Sequence, residues 1–320
     1  MLHGWLIVDK PAGPGSTEIV AAVKRGLREG DYPKVRVGHG GTLDPLASGV
    51  LPVALGEATK LAGRMLGADK SYDFTIGFGE ETDTLDREGR VVATSDRRPT
   101  AAEIAAVLPS FTGPIEQAPP AYSALKVEGR RAYARARAGE EVELPKRQVT
   151  VRTLSIRHPG ESRDLPSREA AKAKGVSSFR WNDEEVLDEI MLSTTVSKGT
   201  YIRSLARDIA RALGTVGHVA MLRRTAAGRF GLDGAISLDK LRELAKGRRL
   251  EQALLPLTAG LDDIPALPVA PDQARALRQG RKAIGIAAKP GLHLATDGSV
   301  PVALVEASEG ELRVVRGFNL

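Results

Sequence analysis

The first eighty residues alternate short apolar runs with polar breaks, and the period of each run predicts its element. Trp5-Leu-Ile-Val8 is apolar throughout, which fits a buried strand. Pro11, Gly13, Pro14 and Gly15 form a turn, and Ser16-Thr17 can then cap a helix carrying Ile19, Val20, Val23 and Leu27 on one face. A glycine-rich stretch from Gly38 to Gly49 leads into the apolar run Val50–Leu55, and residues 57–66 suit a short helix. Tyr72, Phe74, Ile76 and Phe78 alternate with Asp73, Thr75 and Gly77, the pattern of a strand with one apolar face. Thr100 and Glu103 are spaced as a capping box ahead of Ile104, Val107 and Leu108. Strands are predicted at Val149–Ile156 and near Ile190. Ile202, Leu205, Ile209 and Leu213 predict a helix ended by Gly214, and another helix fits 238–246.

Three stretches depart from this rhythm. Residues 117–147 interleave Tyr122 and Tyr133 with seven Lys/Arg against four Glu, and read as a basic insertion. Residues 158–185 are polar and read as a surface insertion. Pro265 and Pro268 mark a linker. Beyond it Pro271 opens a helix ending before Gly280, and the runs Val302–Val305 and Leu312–Val315 predict a small β-rich domain. The expected division is therefore 1–262 and 263–320.

Composition narrows the function without naming it. The chain has 320 residues, 42% of them apolar and 27% charged, enough for a packed core in a large domain plus a small one. A net charge of +6 suits a polyanionic partner and equally suits simple solubility. The absence of cysteine removes disulfides, thiolate nucleophiles and Cys-ligated zinc. The N-terminal apolar run is too short for a signal sequence or membrane span, so a cytoplasmic enzyme is expected.

The chemistry candidates begin with Asp44, a single carboxylate among Gly38, Gly40, Gly41 and Gly49. Glycines let the backbone approach a ligand, and Asp44 before Pro45 is biased toward extended geometry. An ordinary Asp-Pro turn fits the same residues. The segment is neither a Walker A motif nor a GxGxxG loop. Further on, Lys70-Ser-Tyr72 opens the alternating strand. In Ser197-Lys-Gly-Thr-Tyr201-Ile-Arg203-Ser-Leu205, Tyr201 and Arg203 would share a face if extended. Leu222 precedes Arg223 and Arg224, which could meet phosphates or be solvated.

Gly38-His39-x-Gly41-Thr42-Leu43-Asp44-Pro45-Leu46-Ala47-Ser48-Gly49, continued by Leu51–Lys60, closely resembles the signature of the TruB family of tRNA pseudouridine(55) synthases. The Lys70–Tyr72 and Ser197–Leu205 segments match that family's later motifs in order. The segments from Gln117 to Lys126 and from Gly129 to Tyr133 resemble its tRNA-gripping insertion. The resemblance covers most of residues 4–230, is weak over 265–320, and departs from the family at 158–185, where the connection is usually shorter.

The resemblance implies a mixed α/β (α+β) pseudouridine synthase fold with a long, mostly antiparallel sheet and a PUA-like C-terminal domain. It implies that Asp44 is the nucleophile, that Arg203 pairs with it, and that Tyr72 stacks on the target uracil and can take its C5 proton. Tyr201 would bond near the carboxylate and Leu222 would floor the base pocket. His39, Lys10 and Arg131 complete the candidate substrate contacts. Isomerisation at a single nucleoside needs no cofactor and no metal, so none is expected. The implied partner is the tRNA T stem-loop, met by a monomer with no guide RNA and no membrane. Three rivals remain: a guide-RNA-dependent synthase of the dyskerin branch, a non-catalytic RNA-binding protein, and a glycosidase. The last would need a second carboxylate. Asp83 and Asp86 are the candidates, and structural hydrogen bonding is expected of both.

Overall fold

The structure is a computed structural model that describes residues 2–127, 129–142, 144–157 and 185–320. The insertion expected over 158–185 lies outside the described residues, Glu185 excepted. The chain forms two compact units: residues 1–44, 50–66 and 229–320 make the first, and 45–49 and 67–228 the second.

In the first unit, β1 (Gly4–Lys10) is the predicted N-terminal strand. The helix Ser16–Glu29 follows. Its buried residues Ile19, Val20, Val23 and Leu27 recur at three- and four-residue spacing. Ile19, Val23 and Leu27 pack with Leu51, Val53 and Leu55 and with Leu241 and Leu244 of the helix Leu238–Lys246. Each such side chain contributes about 1.5–3 kcal/mol by leaving water. Ser16 does not cap the helix as its sequence position suggested. Gly15 is the N-cap, and its N–H donates to Glu18 Oε2 at 2.6 Å. β2 (Val37–His39) runs antiparallel to β3 (Ser48–Leu55), with His39 opposite Val53. The short helix expected over 57–66 is a 3-10 turn at Gly56–Leu61 followed by an α-helix at Ala62–Gly67.

The second unit is built on antiparallel strands. β4 (Lys70–Phe78) is followed by the hairpin β5 (Glu80–Thr82) and β6 (Val91–Thr94). Thr100 and Glu103 form the predicted capping box on the helix Ala101–Val107. β7 (Gly113–Gln117) leads to a small hairpin, β8 (Lys126–Val127) and β9 (Arg130–Arg131), and to the helix Ala132–Arg137. β10 (Arg147–Ile156), β11 (Glu189–Val196), the helix Ile202–Ala212 and β12 (Gly217–Ala227) complete the unit. Gly214 takes a φ of +73° just past that helix, the left-handed ending its position predicted. The sheet order is β12-β4-β11-β10-β7, and Ser48-Gly49 at the start of β3 pair in parallel with Arg223-Arg224.

β4 departs from the one-faced strand that its alternation suggested. Asp73 and Thr75 are buried along with Phe74 and Ile76. Asp73 survives there because Ser193 Oγ donates to its Oδ1 at 2.6 Å and Arg157 pairs with its Oδ2.

In the rest of the first unit, β13 (Phe230–Gly231) brings Phe230 to 5.5 Å from the Trp5 ring, and β14 (Leu255–Pro256) pairs with β1. The stretch read as a linker is instead a strand. β15 (Ala266–Pro268) pairs in parallel with β17 (Gly291–Asp297), and proline is tolerated because β15 is an edge. The helix Pro271–Arg278 precedes β16 (Ala283–Ile284). With β18 (Val300–Ser308) and β19 (Glu311–Gly317) they form a five-stranded sheet around Ala274, Leu277, Val302, Val305 and Leu312. No described helix is long and apolar enough to cross a membrane.

Candidate active site

The glycine-rich loop of the first unit is held from two sides. Gly40 N–H donates to Pro52 O at 2.8 Å, which extends the β2–β3 pairing past His39. Three residues on from Gly40, Leu43 N–H donates to Ser16 Oγ at 2.8 Å while that hydroxyl donates to Leu43 O at 3.0 Å. Ser16 is buried in the first turn of its helix, so one side chain satisfies both backbone groups of the residue before Asp44. Asp44 is half-buried. At the loop's far end, in the second unit, Gly49 has a φ of +101°, and a Cβ there would lie 2.1 Å from Arg224 O. Only glycine fits that approach.

Lys10 ends β1 fully buried, with Nζ donating to Pro11 O at 2.9 Å and Pro14 O at 2.8 Å. Its ammonium thus binds two carbonyls of the Pro11–Gly15 turn. His39 is half-buried on β2.

In the second unit, the register of β12 against β4 sets Leu222 opposite Phe74 and Arg224 opposite Tyr72. Opposed residues share a sheet face, and so do residues two apart on one strand. Tyr72, Phe74, Leu222 and Arg224 therefore lie on one face, with Tyr72 half-buried. Arg224 is 1% exposed, which rules out a solvated or phosphate-facing position for it. Beside it, burial and then the Arg224 charge together lower the Lys70 ammonium to a pKa of about 8.

Tyr201 and Arg203 do not lie on one extended segment. Tyr201 is the N-cap of the helix Ile202–Ala212, and Arg203 is already helical. Tyr201 N–H donates to Gln117 Oε1 at 2.8 Å, and the Arg147 guanidinium lies 5.5 Å from the Tyr201 ring centroid. Arg203 is buried. Its Nη1 donates to Thr84 O at 2.8 Å and lies 3.3 Å from Asp86 Oδ2, while Nη2 donates to Tyr122 O at 3.0 Å. Ser204 Oγ donates to Ala118 O at 2.8 Å. The segment 117–122 is thus docked on the start of the helix, and two motifs far apart in sequence form one assembly.

Asp83 and Asp86 do the structural bonding expected of them. Asp83 Oδ1 accepts from Arg90 N–H at 3.0 Å, and Asp86 Oδ1 accepts from Thr84 Oγ1 at 2.6 Å. The part Asp86 plays toward Arg203 was missed, as were those of Ser16, Gln117 and Arg147. In the basic insertion, Arg130 and Arg135 both pair with Glu140, whose carboxyl the Arg135 bond holds below its usual range. Arg131 is exposed, and its Nη1 donates to Ala124 O. Among the described residues no group of three or more acids or histidines is placed to hold a metal ion.

Comparison with known proteins decides what family this loop and this sheet belong to. Residues 30–202 match the TruB family pseudouridylate synthase N-terminal domain, and residues 203–262 match the tRNA pseudouridylate synthase B C-terminal domain. The chain belongs to the TruB family. Among its relatives, the tRNA pseudouridine synthase B of Novosphingobium aromaticivorans is 58% identical, with 100% of this chain and 98% of the relative covered. That of Zymomonas mobilis is 55% identical over 99% and 96%. The TruB fold extends to a solved structure of an H/ACA RNP bound to a substrate RNA containing 2'-deoxyuridine. The TM-score is 0.68 at 24% identity, covering 99% of this chain and 86% of that one.

Proposed function

We propose that this chain is a tRNA pseudouridine synthase that isomerises the T-loop uridine to pseudouridine, with Asp44 as nucleophile after the base has been flipped. The observation that carries this reading is the loop Gly38–Gly49 with Asp44 beside the Ser16–Leu43 clamp, in a chain 58% identical over its full length to a tRNA pseudouridine synthase B.

The reaction breaks the N1–C1′ bond, turns the uracil, and joins C5 to C1′, after which the C5 proton leaves. N1 takes up a proton as C5 gives one up to solvent, so the nucleoside's composition is unchanged. A carboxylate with no competing motion is what such a step needs from the protein, since orientation lowers the barrier as much as reactivity does. Flipping costs roughly a few kcal/mol and is offset by contacts to the extruded base and its backbone. In this reading Tyr72 stacks on the uracil and takes the C5 proton, and Leu222 floors the pocket. Tyr201 bonds the target nucleotide. Arg203 supplies the cation that acts with the Asp44 carboxylate in the reaction. His39, Arg131 and Lys10 meet RNA. The enzyme acts as a monomer in the cytoplasm without a guide RNA, and residues 263–320 serve as a PUA-like domain beside the catalytic 1–262.

The test is tritium release from tRNA labelled at uridine C5, with the purified chain alone. Wild type releases tritium, Asp44→Asn does not, and Arg203→Met binds tRNA but turns over slowly. Release by Asp44→Asn at the wild-type rate, or none from wild type on unmodified tRNA, refutes the assignment.

A further inference from the structure

The first unit has a concave surface of its own away from Asp44. It has a volume of about 960 Å3 and is lined by Lys24, Leu27 and Arg28 of the N-terminal helix, by the stretch from Asp31 to Gly38, and by Thr59. Its floor is apolar: Leu27 is buried, and Tyr32, Val35 and Val37 pack against the same core. Its rim is cationic. Lys24, Arg28, Lys34 and Arg36 are all exposed, and none of the four has an ion pair among the described residues. The one acid in the lining, Asp31, lies 3.7 Å from Arg248, which already offsets its charge. The Tyr32 ring is fixed through its hydroxyl, which donates to Glu251 Oε2 at 3.2 Å and accepts from Leu250 N–H at 2.9 Å.

Two features match this surface to a nucleic-acid strand rather than to a single small anion. Lys24 and Arg28 are four apart, one above the other on a helix face, and Lys34 and Arg36 lie two apart around half-buried Val35. A row of cations beside an aromatic and apolar floor is the arrangement that tracks a phosphate backbone and stacks a base. The lining also runs directly into β2, whose first two residues are Val37 and Gly38 and whose third is His39.

We propose that this groove is a second RNA site. It holds a single-stranded segment of the same tRNA on which Asp44 acts, with phosphates on Lys24, Arg28, Lys34 and Arg36 and one base against Tyr32, Pro33 and Val35. The proposal rests on the tRNA-modifying reading, and its test is separable from that reading.

Full-length wild type, Lys24→Gln, and the triple variant Lys24→Gln/Arg28→Gln/Lys34→Gln are compared for binding to a tRNA transcript across a potassium chloride series. Each lost phosphate contact lowers the slope of log K against log salt by about 0.7–0.9. The single variant loses about one unit of slope and the triple variant about two to three, with at least roughly tenfold weaker binding at moderate salt. The rate of tritium release at saturating tRNA stays at the wild-type value. Unchanged slope and affinity in the triple variant overturn the proposal. So does a groove that binds inorganic phosphate in wild type but not in the variant while tRNA affinity is unaltered. A wild type that binds tRNA yet releases no tritium sinks the catalytic reading and leaves the groove measurement standing.

Discussion

Ser16→Ala removes one oxygen and tests whether the clamp on Leu43 positions Asp44. The hydroxyl satisfies the N–H and the C=O of Leu43, both in buried surroundings. A net hydrogen bond is worth about 0.5–1.5 kcal/mol, and a buried backbone group left without a partner costs about 1–3 kcal/mol. Leaving both groups without a partner therefore destabilises the chain by about 2–6 kcal/mol, less where water enters. The loop would also be freed to shift next to Asp44, and a displacement of about 1 Å near reacting atoms costs on the order of a hundredfold in rate. Urea unfolding midpoints and single-turnover rates on saturating tRNA are the two assays, with exposed Thr17→Ala as the control. Thr17→Ala changes stability by less than about 0.5 kcal/mol. If Ser16 acted as a helix cap, its loss would cost about 1 kcal/mol and leave turnover intact. A stability loss near that value with wild-type turnover refutes the clamp.

Two further substitutions probe the second unit. Gly49→Ala forces a Cβ to 2.1 Å from Arg224 O at a positive φ, and backbone must move. The expected result is a fall in thermal midpoint with loss of soluble protein, and an Ala variant with the wild-type midpoint contradicts the packing. Lys70 is protonated in folded and unfolded chains below pH 8, and between about pH 8 and 10.5 the unfolded chain alone keeps the proton. Stability of wild type relative to Lys70→Met therefore rises with pH through that window. After discounting for solvent screening, the gain is about 1–2 kcal/mol. Urea midpoints for both proteins at pH 7 and pH 9.5 measure it, and parallel pH profiles refute it.

Elements with a strong period were legible because one face of each is apolar. The helix Ser16–Glu29 and the strand β11 follow directly from their patterns, and the Thr100–Glu103 box needs only a spacing of three. Pattern failed where the partner is distant. Ser16 looks like a cap because caps are local, whereas its partner Leu43 is 27 residues away. Arg203 donates to the carbonyls of Thr84 and Tyr122, and a carbonyl leaves no mark on the sequence. Arg224 seemed a surface cation because the second residue of an Arg-Arg pair usually is, yet the face it shares with Tyr72 is covered. Asp73 looked solvent-facing because a sheet covered on both sides is not distinguishable by alternation when one side is stitched by Ser193 and Arg157. The prolines near 265 looked like punctuation, and only the edge position of β15 makes them compatible with a strand.

The order in which the core of the first unit is assembled has a consequence for synthesis. The chain passes between the two units after residues 44, 49, 66 and 228, so neither unit is a contiguous fragment. Ile19, Val23 and Leu27 emerge early, but Leu241, Leu244 and Leu250, which cover them, are made more than two hundred residues later. At about 5–20 residues per second, that leaves the apolar face of the N-terminal helix only partly covered for roughly 10–45 s on every ribosome. The segment that clamps the Asp44 loop is thus among the first to be made and among the last to be fully buried.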